Sequence, residues 1–173
     1  MKTLQELNNL SQKIYQQNYK NWWCDADGKP LKDRNKPELL MLTISEIAEG
    51  MEGVRKNLPD DKLPHRSMEE VEMADTAIRI FDLAGGFQHT FTDRSTFIYA
   101  FVNKAEWMFN ICKYLCKSEL ILEHLDFALY SIIGYCDYHE LDFWGVVEEK
   151  LEFNKTRADH KHEVRQKEGG KRF

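Results

Sequence analysis

An all-α fold follows from three observations on this 173-residue chain. Apolar residues recur at steps of three and four along most of its length. Capping signals stand ahead of the clearest of these runs, and no Val/Ile/Thr-rich alternating run with hairpin signals occurs anywhere. Together they predict a multi-helix bundle.

Thr3-Leu-Gln-Glu6 has the form of a capping box, and Leu7, Leu10 and Ile14 follow at helical spacing, which predicts a first helix to about Lys20. Asn21 to Lys36 contains Asp27-Gly-Lys-Pro30 and no periodicity, and reads as a loop. Pro37 suits the first turn of a second helix, whose apolar positions are Leu40, Ile44, Ile47, Met51, Val54 and Leu58. Pro59 and Pro64 end it. Ser67-Met-Glu-Glu70 opens a third helix with another capping box, Val71, Ala74, Ile78 and Phe81 form its buried stripe, and Gly85-Gly86 closes it. A polar stretch to about Ser95 leads to helical patterns over Thr96 to Lys117 and Glu119 to Tyr138. A final helix begins near Asp142 and runs through Phe153 to about Ala158. The pattern predicts one domain over residues 1–158 and a basic, flexible tail over 159–173.

The hydrophobic fraction of 42% is ordinary for a globular domain. A net charge of −5 argues against a whole-surface nucleic-acid binder, because neutralising phosphates needs a basic face. From Lys155 onward the chain carries +4 while the rest carries −9, so an acidic body is followed by a basic end. Four cysteines match no disulfide framework, and Cys112 and Cys116 read as buried thiols rather than as a metal pair with His124 or His139. The beginning of the chain is polar, and no apolar run approaches the roughly 20 residues that span a bilayer. These features predict a soluble, cytoplasmic protein without a membrane partner.

Two acidic half-motifs stand out on the second and third helices, Glu46-Ile-Ala-Glu49 and Glu72-Met-Ala-Asp75. Carboxylates three apart project from one side of a helix, so antiparallel packing of the two helices would gather four of them. Such a cluster repels itself unless a hard cation sits within it, and all-oxygen ligation suits Mg²⁺, with Mn²⁺ as a substitute. Each half also fits a solvated face. Glu46 and Glu49 lie opposite the apolar stripe, Glu72 and Asp75 share a polar face with Arg79 and Asp82, and Asp75 to Arg79 has the spacing of an ion pair. The Glu-x-x-Glu pattern recurs at Glu49/Glu52, Glu69/Glu72 and Glu149/Glu152.

Taken with the downstream run Glu149-Lys-Leu-Glu-Phe-Asn154-Lys-Thr-Arg157, the two half-motifs resemble the MazG-like, all-α nucleoside triphosphate pyrophosphohydrolases. The likeness reaches from about Leu39 to Leu83 and again from Asp142 to Arg157. It implies the bundle of that family, Mg²⁺ on Glu46, Glu49, Glu72 and Asp75, and those same residues as the catalytic set. It further implies cleavage of an NTP or dNTP between the α and β phosphates to a monophosphate and pyrophosphate, serving house-cleaning of nucleotide pools. A homodimer or homotetramer is implied too.

Positive charge is then required on the triphosphate, from Lys150, Lys155 and Arg157, with Lys171 and Arg172 in reserve. Asn154 either touches the nucleotide or caps the helix. Trp22 and Trp23 offer aromatic faces for a base, although at least one of them fits the core. His160 and His162 fit an exposed tail, and His65 has no assigned role. The alternative of a different class is a non-catalytic helical interaction module with an acidic face and a basic tail.

Overall fold

The computed structural model describes residues 2–25, 27–31, 33–97, 101 and 103–156. Among these, six α-helices account for nearly all regular structure: α1 (Leu4–Asn18), α2 (Lys36–Lys56), α3 (Met68–Gly86), α4 (Lys104–Ser118), α5 (His124–Tyr138) and α6 (Phe143–Thr156). A π-turn, Tyr19–Trp23, extends α1, a 3-10 turn covers Ser95–Phe97, and two isolated bridges pin the loops, Cys24 to Pro30 and Pro59 to Ser67. The all-α expectation holds.

The chain folds around α3. Thirteen of its 19 residues are buried, so it is apolar over most of its circumference and is enclosed rather than laid on a surface. Helices α1, α2, α5 and α6 pack against it, and α4 closes the far side against α5 and α2. Val71, Met73, Ala74, Ala77, Ile80 and Phe81 form the centre of a core that continues through Trp107, Leu115, Leu129 and Tyr135. Beyond α3, the carboxylate of Asp126 accepts from His89 Nε2 at 2.5 Å and Thr92 Oγ1 at 2.6 Å, which ties the connection to α5. No helix among the described residues is long and apolar enough to cross a membrane.

Several predicted boundaries move, each for a local reason. The Thr3 box closes in both directions, but at Ser67 only half of it forms: Ser67 accepts from the Glu70 amide at 3.2 Å while Glu70 turns to the Asp142 amide at 2.7 Å. Helix α2 stops at Lys56, before either proline, because Asn57 adopts a left-handed conformation (φ 52°) and its N–H returns to the Gly53 carbonyl. Helix α4 starts at Lys104 rather than Thr96, where Asn103 caps the Glu106 amide at 2.9 Å. Helix α5 starts at His124 after turns through Glu123, not at Glu119. Helix α6 is described from Phe143 to Thr156, and the predicted end at Ala158 and the tail 159–173 lie outside the described residues.

The glycines Gly85 and Gly86 do not terminate α3 by a left-handed turn. They stay helical and admit neighbours: a Cβ on Gly85 would stand 2.4 Å from Tyr15, and one on Gly86 2.2 Å from the Trp23 ring. The left-handed residue comes later, at Gln88 (φ 57°). The cysteines divide differently from expectation. Cys24 and Cys136 are buried, Cys112 is half-buried, and Cys116 is exposed.

Candidate metal centre

Helices α2 and α3 approach closely because α2 presents glycine to α3. A Cβ on Gly50 would lie 3.1 Å from Met73 Cε and 3.3 Å from Glu72 Cβ, and one on Gly53 would lie 2.9 Å from the Glu69 amide nitrogen. The face of α2 that is buried is therefore Leu40, Thr43, Glu46, Ile47, Gly50 and Gly53, while Ile44, Met51 and Val54 are half-buried and Leu58 is exposed. This rotation places Glu46 inside the molecule, not opposite the packed face.

Glu46, Glu72 and Asp75 converge, each offering a carboxylate oxygen within 4.8 Å of the others. Among the described residues this is the one group of three or more His, Cys, Asp or Glu side chains with metal-holding geometry, so Cys112, Cys116, His124 and His139 form no such group. Glu46 is 9% and Glu72 6% exposed. Two cations serve two of the carboxylates. Arg79 Nε donates to Glu46 Oε1 at 2.6 Å, and Lys150 Nζ stands 2.8 Å from Asp75 Oδ2. Among the described residues Glu72 has no such partner, and its Oε2 is buried without a hydrogen bond.

The electrostatics follow from that asymmetry. Burial, then the charge of Asp75, then the bond and charge of Glu46 hold the Glu72 carboxyl far above the usual carboxylate range. Burial pushes Asp75 up to about 6 against the opposing pull of Lys150. Glu49 is exposed as a residue and is not one of the converging three; the partial desolvation of its carboxyl and the neighbouring Glu46 charge raise it, and its own charge adds to the load on Glu72. A hard cation would reverse this, letting all of these carboxylates ionise together. The donor set is one that could hold a hard cation: oxygen only, from two helices, with one buried lone pair unsatisfied among the described residues.

The expected Asp75–Arg79 pair is not made, because Arg79 turns across to Glu46 and Asp75 is taken by Lys150 from α6. Lys150 is buried at 2%, whereas a last-helix lysine is ordinarily solvated. Asn154, one turn further along α6, is half-buried, and its Oδ1 finds no partner among the described residues. Lys155 is exposed and pairs with Glu152. Arg157, Lys171, Arg172, His160 and His162 lie outside the described residues. Trp22 is half-buried, and its carbonyl accepts from Arg34 Nη1 at 2.8 Å. Trp23 is core, at 5% exposure, with its indole N–H on Asp82.

The other acidic repeats resolve into structural pairings. Glu69 accepts from Tyr135 Oη at 2.5 Å and Lys104 Nζ at 2.7 Å. Glu52 pairs with Arg55 and Lys56. Glu149 is bound by Arg66 at 2.6 Å and His65 at 2.9 Å, and these bonds hold its carboxyl down to about 2. His65 thus has a role in fastening the α2–α3 loop to α6. Arg79 and Asp82 were visible in the sequence as members of the α3 polar face, but nothing in the spacing of Arg34 marked it. Compared with models of protein families, with curated proteins and with solved structures, the chain matches none.

Proposed function

We propose that this protein is a Mg²⁺-dependent nucleoside triphosphate pyrophosphohydrolase of MazG-like type, cleaving NTP or dNTP to a monophosphate and pyrophosphate. The observation that carries this reading is the convergence of Glu46, Glu72 and Asp75 from two helices, with the Glu72 Oε2 lone pair buried and unspent. A carboxylate cluster approaches a triphosphate only through cations, which is why the metal and the substrate class go together. When bound, the metal would polarise the phosphoryl oxygens and lower the pKa of an attacking water. Glu46, Glu72 and Asp75 would hold it, with Glu49 at the exposed margin.

The chain's own residues supply the remainder. Arg79 and Lys150 keep Glu46 and Asp75 in place and balance charge when the cluster is not needed for a cation. Asn154 Oδ1, on the Lys150 side of α6, meets no donor among the described residues and is suited to a sugar or base donor. Lys155, exposed on α6, would meet the phosphates from outside, and Arg157, which lies outside the described residues, is the further cation this reading assigns to them. The reading also carries a homodimer or homotetramer and a cytoplasmic place of action.

One observation favours the interaction-module alternative. Arg79 and Lys150 already neutralise two of the three carboxylates, so the cluster needs less from a cation than its sequence implies. Incubation of the purified protein with canonical NTPs and dNTPs, with and without Mg²⁺, separates the two. Monophosphate and pyrophosphate formed only with metal support the hydrolase; no turnover from folded protein, together with no stabilisation by Mg²⁺, supports the module.

A further inference from the structure

A polar stripe runs along the otherwise buried α3. Glu72, Asp75, Arg79 and Asp82 follow at steps of three and four and share one face. The first three belong to the acidic centre and its cation. Asp82 stands apart: seven residues past Asp75, it lies two turns on, about 10 Å along the helix axis. Its neighbours come from the N-terminal segment. Trp23 Nε1 donates to both of its oxygens at 3.1 Å, and Asn18 bonds the same carboxylate. The Trp23 ring is itself clamped edge-to-face by Tyr15 and Phe87, each 5.6 Å away, over the bare Cα of Gly86. A rigid donor therefore aims the carboxylate.

Hydrogen-bonding capacity is left over at this place. A carboxylate has about four acceptor sites, and Trp23 with Asn18 fills only part of them. Asp82 as a residue is half-buried, with its carboxylate turned inward to Trp23 and Asn18. Arg34 lies over the Trp23 ring, 5.5 Å from its centroid, close enough for its charge to act on Asp82. Among the described residues its guanidinium makes one hydrogen bond, to the Trp22 carbonyl, and its buried Nε meets no acceptor. The charges of Glu38 and Asp82 act on this guanidinium, and its buried Nε, a donor without an acceptor, is costly to leave unmet.

We propose that Asp82 and Arg34 read the base of the nucleotide whose phosphates are handled at Glu46, Glu72 and Asp75, Asp82 accepting from a ring N–H and Arg34 donating to the carbonyl beside it. This rests on the hydrolase reading above. Two helical turns correspond to the reach from the α-phosphate of a nucleotide to the hydrogen-bonding edge of its base. Guanine, uracil and thymine carry a ring N–H beside a carbonyl. Adenine has no carbonyl, and in cytosine the ring nitrogen beside the carbonyl is an acceptor that Asp82 repels once it is ionised, above about pH 7. The substrate class is therefore the keto-base nucleotides.

The test is a kcat/KM panel with Mg²⁺ on GTP, UTP, dTTP, CTP and ATP for the wild type, Asp82→Asn and Arg34→Ala, with melting temperatures recorded for each. Asp82→Asn keeps an oxygen for Trp23, and Arg34→Ala changes a loop residue, so one readout survives if the other variant fails to fold. The wild type is expected to favour keto bases by at least about tenfold. Each variant is expected to lose about ten- to a hundredfold on keto bases while ATP turnover changes little. A variant that slows every nucleotide equally, or a wild type that ranks ATP with GTP, overturns this inference and leaves the hydrolase intact. Folded wild type that hydrolyses no nucleotide overturns both.

Discussion

Lys150 Nζ lies 2.8 Å from Asp75 Oδ2, joining α6 to the acidic stripe of α3. The lysine is 2% exposed, and the aspartate would stand uncompensated without it. Removing one member of a buried pair typically costs about 3–5 kcal/mol, because the other charge remains. Lys150→Ala is therefore expected to lower stability by that order in urea unfolding. Lys155→Ala, which deletes an exposed pair with Glu152, is expected to leave stability unchanged and to raise KM if Lys155 binds phosphate. Equal stability loss in the two variants would contradict the burial argument.

Metal binding should reveal itself without turnover. A ligand at a hundredfold excess over Kd stabilises by about 2.7 kcal/mol, roughly a 5–10 °C rise in melting temperature for a chain of this size. Mg²⁺ is expected to produce this in the wild type and not in Glu72→Gln or Asp75→Asn, both inactive; Glu72→Gln should keep its stability, whereas Asp75→Asn leaves Lys150 buried without its partner and should lose stability as Lys150→Ala does. Glu49→Gln, at the exposed margin, is expected to retain part of the shift. A full Mg²⁺ shift in Glu72→Gln would remove Glu72 from the metal set.

The acidic centre also makes a pH prediction for metal-free protein. Burial raises Asp75 from 3.8 to about 6, and it raises Glu72 as well. Burial likewise lifts Asp82 from 3.8 to about 7. A carboxyl with a raised folded pKa holds its proton while the unfolded chain has released it. Its contribution is therefore fully present below about pH 4 and is lost as pH rises through the folded value, each group by up to about 1.4 kcal/mol per pH unit. In EDTA the melting temperature is expected to fall between about pH 4 and pH 7, and Glu72→Gln should flatten part of that slope. Mg²⁺ should flatten it too, since a cation favours the ionised forms. A melting temperature that rises across this window in EDTA would contradict the burial of these groups.

Gly53 sets the separation of α2 and α3, because an added Cβ would stand 2.8 Å from Met68 Cβ and 2.9 Å from the Glu69 backbone nitrogen. Gly53→Ala is expected to cost about 1–3 kcal/mol despite the better helix propensity of alanine. It should also weaken the Mg²⁺ shift by moving Glu46 away from Glu72. Calorimetry with and without Mg²⁺ reads both effects, and a stabilised variant would mean that α2 is free to shift.

The helices were legible in the sequence because caps and apolar spacing act within a few residues. The Thr3 box, Pro37 at the opening of α2 and the stripe of Val71, Ala74, Ile78 and Phe81 all stand where local rules put them. The i,i+3 spacing likewise sets Glu72 and Asp75 on one side of α3, whereas on α2 only Glu46 of the pair Glu46 and Glu49 joins them. The starts of α4 and α5 were not legible, since an internal cap at Asn103 and the turns before His124 interrupt apolar runs that otherwise read as continuous.

Tertiary structure alone decided which charges meet. Sequence spacing offers Arg79 to Asp75, but the close crossing permitted by Gly50 and Gly53 carries Glu46 into range, and Arg79 turns to it. Lys150 reaches Asp75 across 75 residues, and Trp23 reaches Asp82 across 59. Helical periodicity states which side of a helix is apolar, whereas the pairing of polar groups depends on the crossing of helices remote in sequence. There the low dielectric of the interior makes a few ångströms decide whether a carboxylate is neutralised, left protonated or kept available for a cation.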